Sequence, residues 1–356
     1  MAGKGLPVRS IAIEPGASHE LLRDVWSDRY VPARLIEDGK GAEARIRIRG
    51  GHTRNYLKKS YEIQTEGRTL HWNAEYDDPS LIRNALSFRF FNEIGVPAPR
   101  TRHVLLHWNG KPHGVYVEIE AVDGSFFRRR RIGASSLVYA VNDNADFTLI
   151  DHETKRRKRS LFSGYQLVKG GDGTKKRLAS FITNVNRPAS PALRAYLGKR
   201  LDIDQYLRWL AGAVLTNNYD GFDQNYALYE HRATNKYRIV PWDYEGTWGR
   251  NCFGRLCPSD LVPVRGMNTL TRKLLAYRSV RVRYRSLLKR LLNETFTTRA
   301  IEPIVKDMMD HIQGDVRDDF TRKWPFDTFL GEAAIISRFI RERREVLLTQ
   351  LAEWRD

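Results

Sequence analysis

The chain has 356 residues, with 60 Lys and Arg against 42 Asp and Glu, a formal net charge of +18, and 41% hydrophobic residues. That length and apolar share suffice for one large domain or two ordinary ones and exclude a chain disordered throughout. No run of eighteen apolar residues occurs, the opening MAGKGLPVRSIAIEPG has no signal-peptide core, and Cys252 and Cys257 are too few for a four-thiolate zinc site, so neither a membrane span nor a disulfide framework is expected and a reduced intracellular setting is the default.

In chain order, residues 6–13 read as a first strand ended by Pro15-Gly16, and residues 17–30 as a short helix or turn. Val31–Ile36 and Ala42–Arg49 form a hairpin about the Asp38-Gly39 step, the second strand alternating apolar and basic residues as a half-buried strand does. Arg49-Gly50-Gly51-His52-Thr53-Arg54 follows: two glycines permit close backbone approach to a ligand, and Thr53 and the arginines add donors for phosphate. The next strand is Lys58–Ile63, and a lysine after a Gly-containing turn is where a kinase reaches ATP phosphates, with the choice between Lys58 and Lys59 open. Asp78-Pro79-Ser80 opens a helix whose stripe runs from Leu81 to Ile94, stopped by Gly95. Arg102–Trp108 and His113–Glu120 are strands joined at Asn109-Gly110, and the chain leaves through Glu118–Ala121, where a kinase hinge would touch adenine.

From Asp123 to about Arg200 the chain is polar and less regular. Phe126-Phe127 opens a helix, Leu137–Val141 reads as a strand, and Leu178–Asn186 reads as a helix broken by Pro188 and Pro191. The charged, Gly-rich Lys155–Gly173 is expected to be a mobile loop.

Most of the functional signal lies between Asp202 and Gly249. A helix capped by Asp202 or Asp204 ends at Asn217-Asn218; the loop Tyr219–Asn225 follows; then come two strands, Tyr226–Tyr229 and Tyr237–Val240, and just past them Asp243 in Pro-Trp-Asp-Tyr-Glu-Gly. Phosphoryl transfer needs one carboxylate to accept the attacking hydroxyl's proton and another, with an amide oxygen, to hold magnesium. Asp220 and Asn225 are five apart and Asp243 follows a hairpin, the order those parts take in kinases. The segment 250–263 lies where a kinase has its activation segment, and four amphipathic helices fill the chain from Leu270 onward. Basic clusters at Arg128–Arg131, Lys155–Arg159, Lys175–Arg177 and Arg272–Arg290 suit a polyanion, but no nucleic-acid motif accompanies them.

The chain resembles the CotH family of spore-coat protein kinases almost end to end. The resemblance rests on Arg49-Gly50 with Thr53-Arg54, Lys58-Lys59-Ser60-Tyr61, Asp78-Pro79-Ser80 with Arg83-Asn84, Gly95-Val96-Pro97, Asn109-Gly110 with Gly114-x-Tyr116 and Glu120, Asp220-Gly221 with Asn225-Tyr226, and Pro241-Trp242-Asp243. It implies an α+β, bilobal, protein-kinase-like fold: an antiparallel β-rich ATP-binding lobe with one long helix over residues 1–120 and a mostly helical lobe over 121–356. It implies an ATP- and magnesium-dependent kinase acting as a monomer on Ser or Thr of Ser-rich spore coat proteins, in the mother-cell cytoplasm and the spore coat, with no membrane or nucleic-acid partner. Asp220 would be the base, Asn225 and Asp243 the magnesium ligands with Glu245 beside them, and Lys58, Gly50, Gly51, Thr53, Arg54 and Glu120 the nucleotide contacts. Departures are the Asn218-Tyr219-Asp220 triplet in place of His-Arg-Asp, Glu245 where the family often has Asp, and no evident helix Glu to pair with Lys58, Glu93 lying near the helix's far end. An inactive kinase-fold coat protein and a polyanion binder are the competing readings.

Overall fold

Alternation within the first third of the chain builds a barrel. The computed structural model describes residues 5–354. Strands β1 (Val8–Ala12), β2 (Val31–Glu37), β3 (Lys40–Arg49), β4 (Ser60–Thr65), β5 (Arg68–Asn73), β6 (Thr101–Trp108) and β7 (Lys111–Glu120) close in the order β1-β2-β3-β4-β5-β7-β6. The expected antiparallel β-rich region closes into a barrel, and only its closing seam, β1 with β6, pairs in parallel. A short helix, α1 (Pro15–Arg23), accompanies the expected longer one, α2 (Arg83–Glu93). Ile46, Ile48, Ile63, Trp72, Val104 and Tyr116 point into the barrel and form its own core. On β7 the alternate residues Val115, Val117 and Ile119 point outward and join the larger core, which also takes in Leu86 and Phe90 of α2.

Helix α2 starts later than its cap signal suggests. Asp78 accepts hydrogen bonds from Ser80 N and Arg83 N, but Leu81 sits at φ 60°, a left-handed turn no helix tolerates, so the helix begins only at Arg83. The buried Arg83 guanidinium draws that loop in, bonding Asp78 at 2.5 Å and Glu332 at 2.7 Å.

After α3 (Gly124–Arg129), strands β8 (Ala134–Ala140), β9 (Tyr165–Lys169), β10 (Tyr226–His231) and β11 (Lys236–Pro241) make a second sheet in the order β11-β10-β8-β9. The segment read as a mobile loop therefore carries a strand, and it is anchored: the Lys158 ammonium is buried against Asp146 at 2.9 Å and donates to Asn144 O and Thr148 O. Pro191 does not break a helix. It sits in the first turn of α5 (Pro191–Arg200), capped by Ser190, directly after α4 (Asp172–Val185). Helix α6 (Ile203–Leu215) is buried on nearly every side, and α7 (Thr269–Leu275), α8 (Arg278–Glu294), α9 (Thr298–Asp318) and α10 (Phe326–Glu353) complete a mixed α+β fold. Among the described residues no helix is long and apolar enough to cross a membrane.

Candidate functional site

The barrel, the second sheet and the end of α6 meet around an open cleft of about 880 Å³. One end of the second sheet sets its floor. Tyr226 opposes Ala140 on β8 and Pro241 on β11, so the residues just beyond those three strand ends fall side by side. Asn225 is held there by its backbone, N to Ala140 O at 3.2 Å and O from Trp242 N at 3.1 Å. Asn225 and Asp243 both adopt left-handed backbone, φ 58° and 57°, conformations that cost non-glycine residues about 1–3 kcal/mol and gather where the surroundings enforce them.

Asp220 arrives from α6. The helix ends in Thr216, Asn217 turns at φ 59°, and its side chain accepts from Val262 N at 2.9 Å while donating to Pro258 O at 2.9 Å. Those bonds fix the exit direction, and a single 3₁₀ turn, Tyr219–Gly221, presents Asp220 to the cleft. Its carboxylate accepts from Gln224 Nε2 at 3.0 Å and Asn225 Nδ2 at 2.8 Å. Burial raises its pKa, opposed by those two bonds.

The cleft carries further acids. Asp243 and Glu245 line the cleft with Glu75, which is 2% exposed. Burial raises all three pKa values, and mutual repulsion raises Glu245 and Glu75 further. Arg49 and His52 act on Asp243 in the other direction. Asn84, at the start of α2, donates to Glu75 at 2.9 Å and accepts from Tyr244 N at 2.6 Å, tying α2 to the segment that carries Asp243. All donors here are oxygens, the set a hard cation takes. Among the described residues no three His, Cys, Asp or Glu form a ready metal cage. Asp243, Glu245 and Asn225 fit a magnesium ion that keeps waters and takes phosphate oxygens as its other ligands.

The roof is the outer face of β3 and the turn after it. Gly50 sits at φ 108°, and a Cβ there would lie 2.3 Å from Thr53 Oγ1, so glycine is required. Gly50, Gly51, Thr53 and Arg54 all line the cleft. Arg54 is already engaged, with Asp28 at 2.7 Å and Gly50 O at 2.7 Å.

Two residues assigned to the nucleotide from the sequence already have partners within the protein. Lys58 precedes β4 rather than lying in it, lines the cleft, is 4% exposed, and gives its ammonium to Asp319 Oδ2 at 2.9 Å and Val115 O at 2.8 Å. Burial lowers the Lys58 pKa, with Asp319 opposing. Lys59 turns its ammonium back to Tyr56 O. Glu120 faces away from the cleft, where Arg130 and Arg129 grip its carboxylate and Arg100 N donates to it at 3.0 Å. Just past the expected hinge the backbone of Val122 is taken: the Tyr139 hydroxyl accepts from Val122 N at 3.1 Å and donates to Val122 O at 3.2 Å. The aromatic surface available instead is Tyr139 and Trp242, 5.5 Å apart and perpendicular. Sequence reasoning gave no role to Asn84, Tyr139 or Trp242; Asn84 and Trp242 stood only within the Arg83-Asn84 and Pro241-Trp242-Asp243 motifs, and nothing pointed at Tyr139.

The CotH kinase protein family model matches residues 46–347. The chain belongs to that family. It is 36% identical to the inner spore coat protein H of Bacillus subtilis strain 168, over 98% of both chains. It is 29% identical to the inner spore coat protein H-like protein of the same strain, over 83% of this chain and 86% of that one. The solved proinflammatory kinase CtkA of Helicobacter pylori superposes with TM-score 0.34 and 11% identity over 87% of this chain and 95% of its own, too loose a likeness to support an assignment.

Proposed function

We propose that this chain is an ATP- and magnesium-dependent protein kinase that phosphorylates Ser or Thr of Ser-rich spore coat proteins. In this reading it acts as a monomer in the mother-cell cytoplasm and resides in the spore coat, the coat being the part that the names of its two relatives suggest. The barrel and α2, roughly residues 1–120, serve as the nucleotide lobe, and residues 121–356 as the lobe that carries the catalytic acids. The observation that carries the proposal is the convergence of Asp220, Asn225 and Asp243 at one end of a cleft roofed by the Gly50 turn.

In the reaction an acceptor hydroxyl attacks the γ-phosphorus of ATP. The new O–P bond forms as the bond to the β,γ-bridging oxygen breaks, and that oxygen leaves with the electron pair as part of ADP. Asp220 takes the hydroxyl proton. Its raised pKa makes it a better acceptor than an exposed Asp, while Gln224 and Asn225 orient the carboxylate. Asp243, Asn225 and Glu245 would hold magnesium, which supplies neutralisation of phosphate charge. The Gly50–Gly51 turn lets backbone approach the phosphates, and Trp242 and Tyr139 offer aromatic faces to the base. Thermal melting with and without ATP and magnesium tests this: a ligand at a hundredfold excess over its Kd adds about 2.7 kcal/mol, hence a clear rise in Tm. No rise at millimolar nucleotide would favour the inactive coat protein.

A further inference from the structure

We propose that Arg49, not either lysine of Lys58-Lys59, is the side-chain cation that grips the nucleotide's phosphates. This rests on the nucleotide reading above and deepens it. The cleft carries at least four carboxylates, Asp220, Asp243, Glu245 and Glu75, so a triphosphate entering it needs fixed positive charge beside the metal.

The cations around the roof are almost all engaged. Arg47 pairs with Glu62 at 2.9 Å, Arg54 with Asp28 at 2.7 Å, and Lys58 with Asp319 at 2.9 Å. Lys59 is tied to the Tyr56 carbonyl. Arg49 has no ion pair with any described residue; it donates to the neutral Asn73 amide and lies 5.5 Å from the Trp242 ring centroid. Its strand position explains why it points there. Ile46 and Ile48 fill the barrel core, so Arg45, Arg47 and Arg49 take the outer face, and the strand ends at Arg49 directly before Gly50. Guanidinium and glycine turn therefore line the same cleft as Asp243. A planar fork beside an aromatic face suits bidentate contact with phosphate oxygens.

The lysine that the resemblance assigned to this role does other work. Lys58 joins the barrel to the end of α9: Asp319 Oδ2 accepts both from its ammonium and from Val115 N at 2.8 Å. Two of the lysine's three donors and its charge are thus already committed within the protein.

The test is calorimetric titration of magnesium-ADP and of adenosine into the full-length chain and into Arg49→Gln, Arg49→Lys and Lys58→Met. The expected result is a loss of ADP affinity of about 10–100-fold in Arg49→Gln, the scale of a hydrogen bond to a charged group. Adenosine affinity stays within about threefold, because the base contacts remain. Arg49→Lys loses less than Arg49→Gln, and Lys58→Met binds ADP like wild type; Arg49→Lys keeps the test open should Arg49→Gln fold poorly. Unchanged ADP binding in Arg49→Gln while wild type binds would overturn the inference alone. Equal losses for ADP and adenosine would also overturn it, assigning Arg49 to the base platform. A wild type that binds neither would overturn the nucleotide reading itself.

Discussion

Lys58→Met removes a buried ammonium and leaves Asp319 facing the barrel without its partner. Side-chain exposure is 2% for Lys58 and 0% for Asp319, so water cannot replace the lost charge. Breaking such a pair from one side costs about 3–5 kcal/mol, whereas removing both charges together is often near neutral. With an unfolding entropy of about 2.1 cal/mol/K per residue, 356 residues correspond to roughly 0.75 kcal/mol per degree if the chain melts as one unit. The single variant should therefore lose about 4–7 °C in Tm. Adding Asp319→Asn removes the stranded charge while keeping an acceptor for Val115 N, and should recover at least half of that loss. Scanning calorimetry of both variants, with ATP affinity measured on the same samples below their melting range, checks this. A single variant that melts like wild type yet no longer binds ATP would refute the reasoning and return Lys58 to the phosphates.

Other outcomes follow from the same geometry. Arg83→Met strands the fully buried Asp78 and leaves Glu332 with Arg250 alone, and should destabilise by about 3–5 kcal/mol, read by urea unfolding. Gly50→Ala forces a side chain into φ 108° against Thr53 and should weaken ATP binding about tenfold with a Tm loss of only a few degrees, read by titration and melting. Burial alone would raise Glu120, Glu230 and Asp319, but arginine or lysine partners and hydrogen bonds hold all three below their ordinary pKa. Groups lowered in the folded state stabilise it above the unfolded carboxyl range and lose that contribution as pH falls through the folded values. The contribution of these three groups should accordingly be constant above about pH 4.5 and be lost below it, measured as the difference in denaturant midpoint between wild type and Glu230→Gln across that range.

Local chemistry was legible wherever neighbours in sequence decide the structure. Asp-Gly and Asn-Gly steps marked the β2–β3 and β6–β7 turns, and apolar-basic alternation marked β3. The helix, loop, hairpin and acid order around Asp220 and Asp243 also stands as read. What was not legible depends on distant partners. Nothing near Lys58 announces Asp319, 261 residues away, so no local signal showed that its ammonium is already paired. Glu120 looked like an acid at a hinge, but its arginines come from α3, whose basic run reads equally well as a solvated face. The parallel seam between β1 and β6 leaves no mark in either strand. Short strands such as β9 inside a charged segment owe their pairing to β8, which propensity does not see.

The most direct measurement is transfer of labelled phosphate from ATP with magnesium to a Ser-rich, Lys- and Arg-containing coat polypeptide, wild type beside Asp220→Asn. The account predicts incorporation by wild type and a rate roughly 10²–10⁴-fold lower for the variant, which should still bind ATP, since proton acceptance in the transition state is worth about that much. Equal incorporation by the two proteins would contradict it.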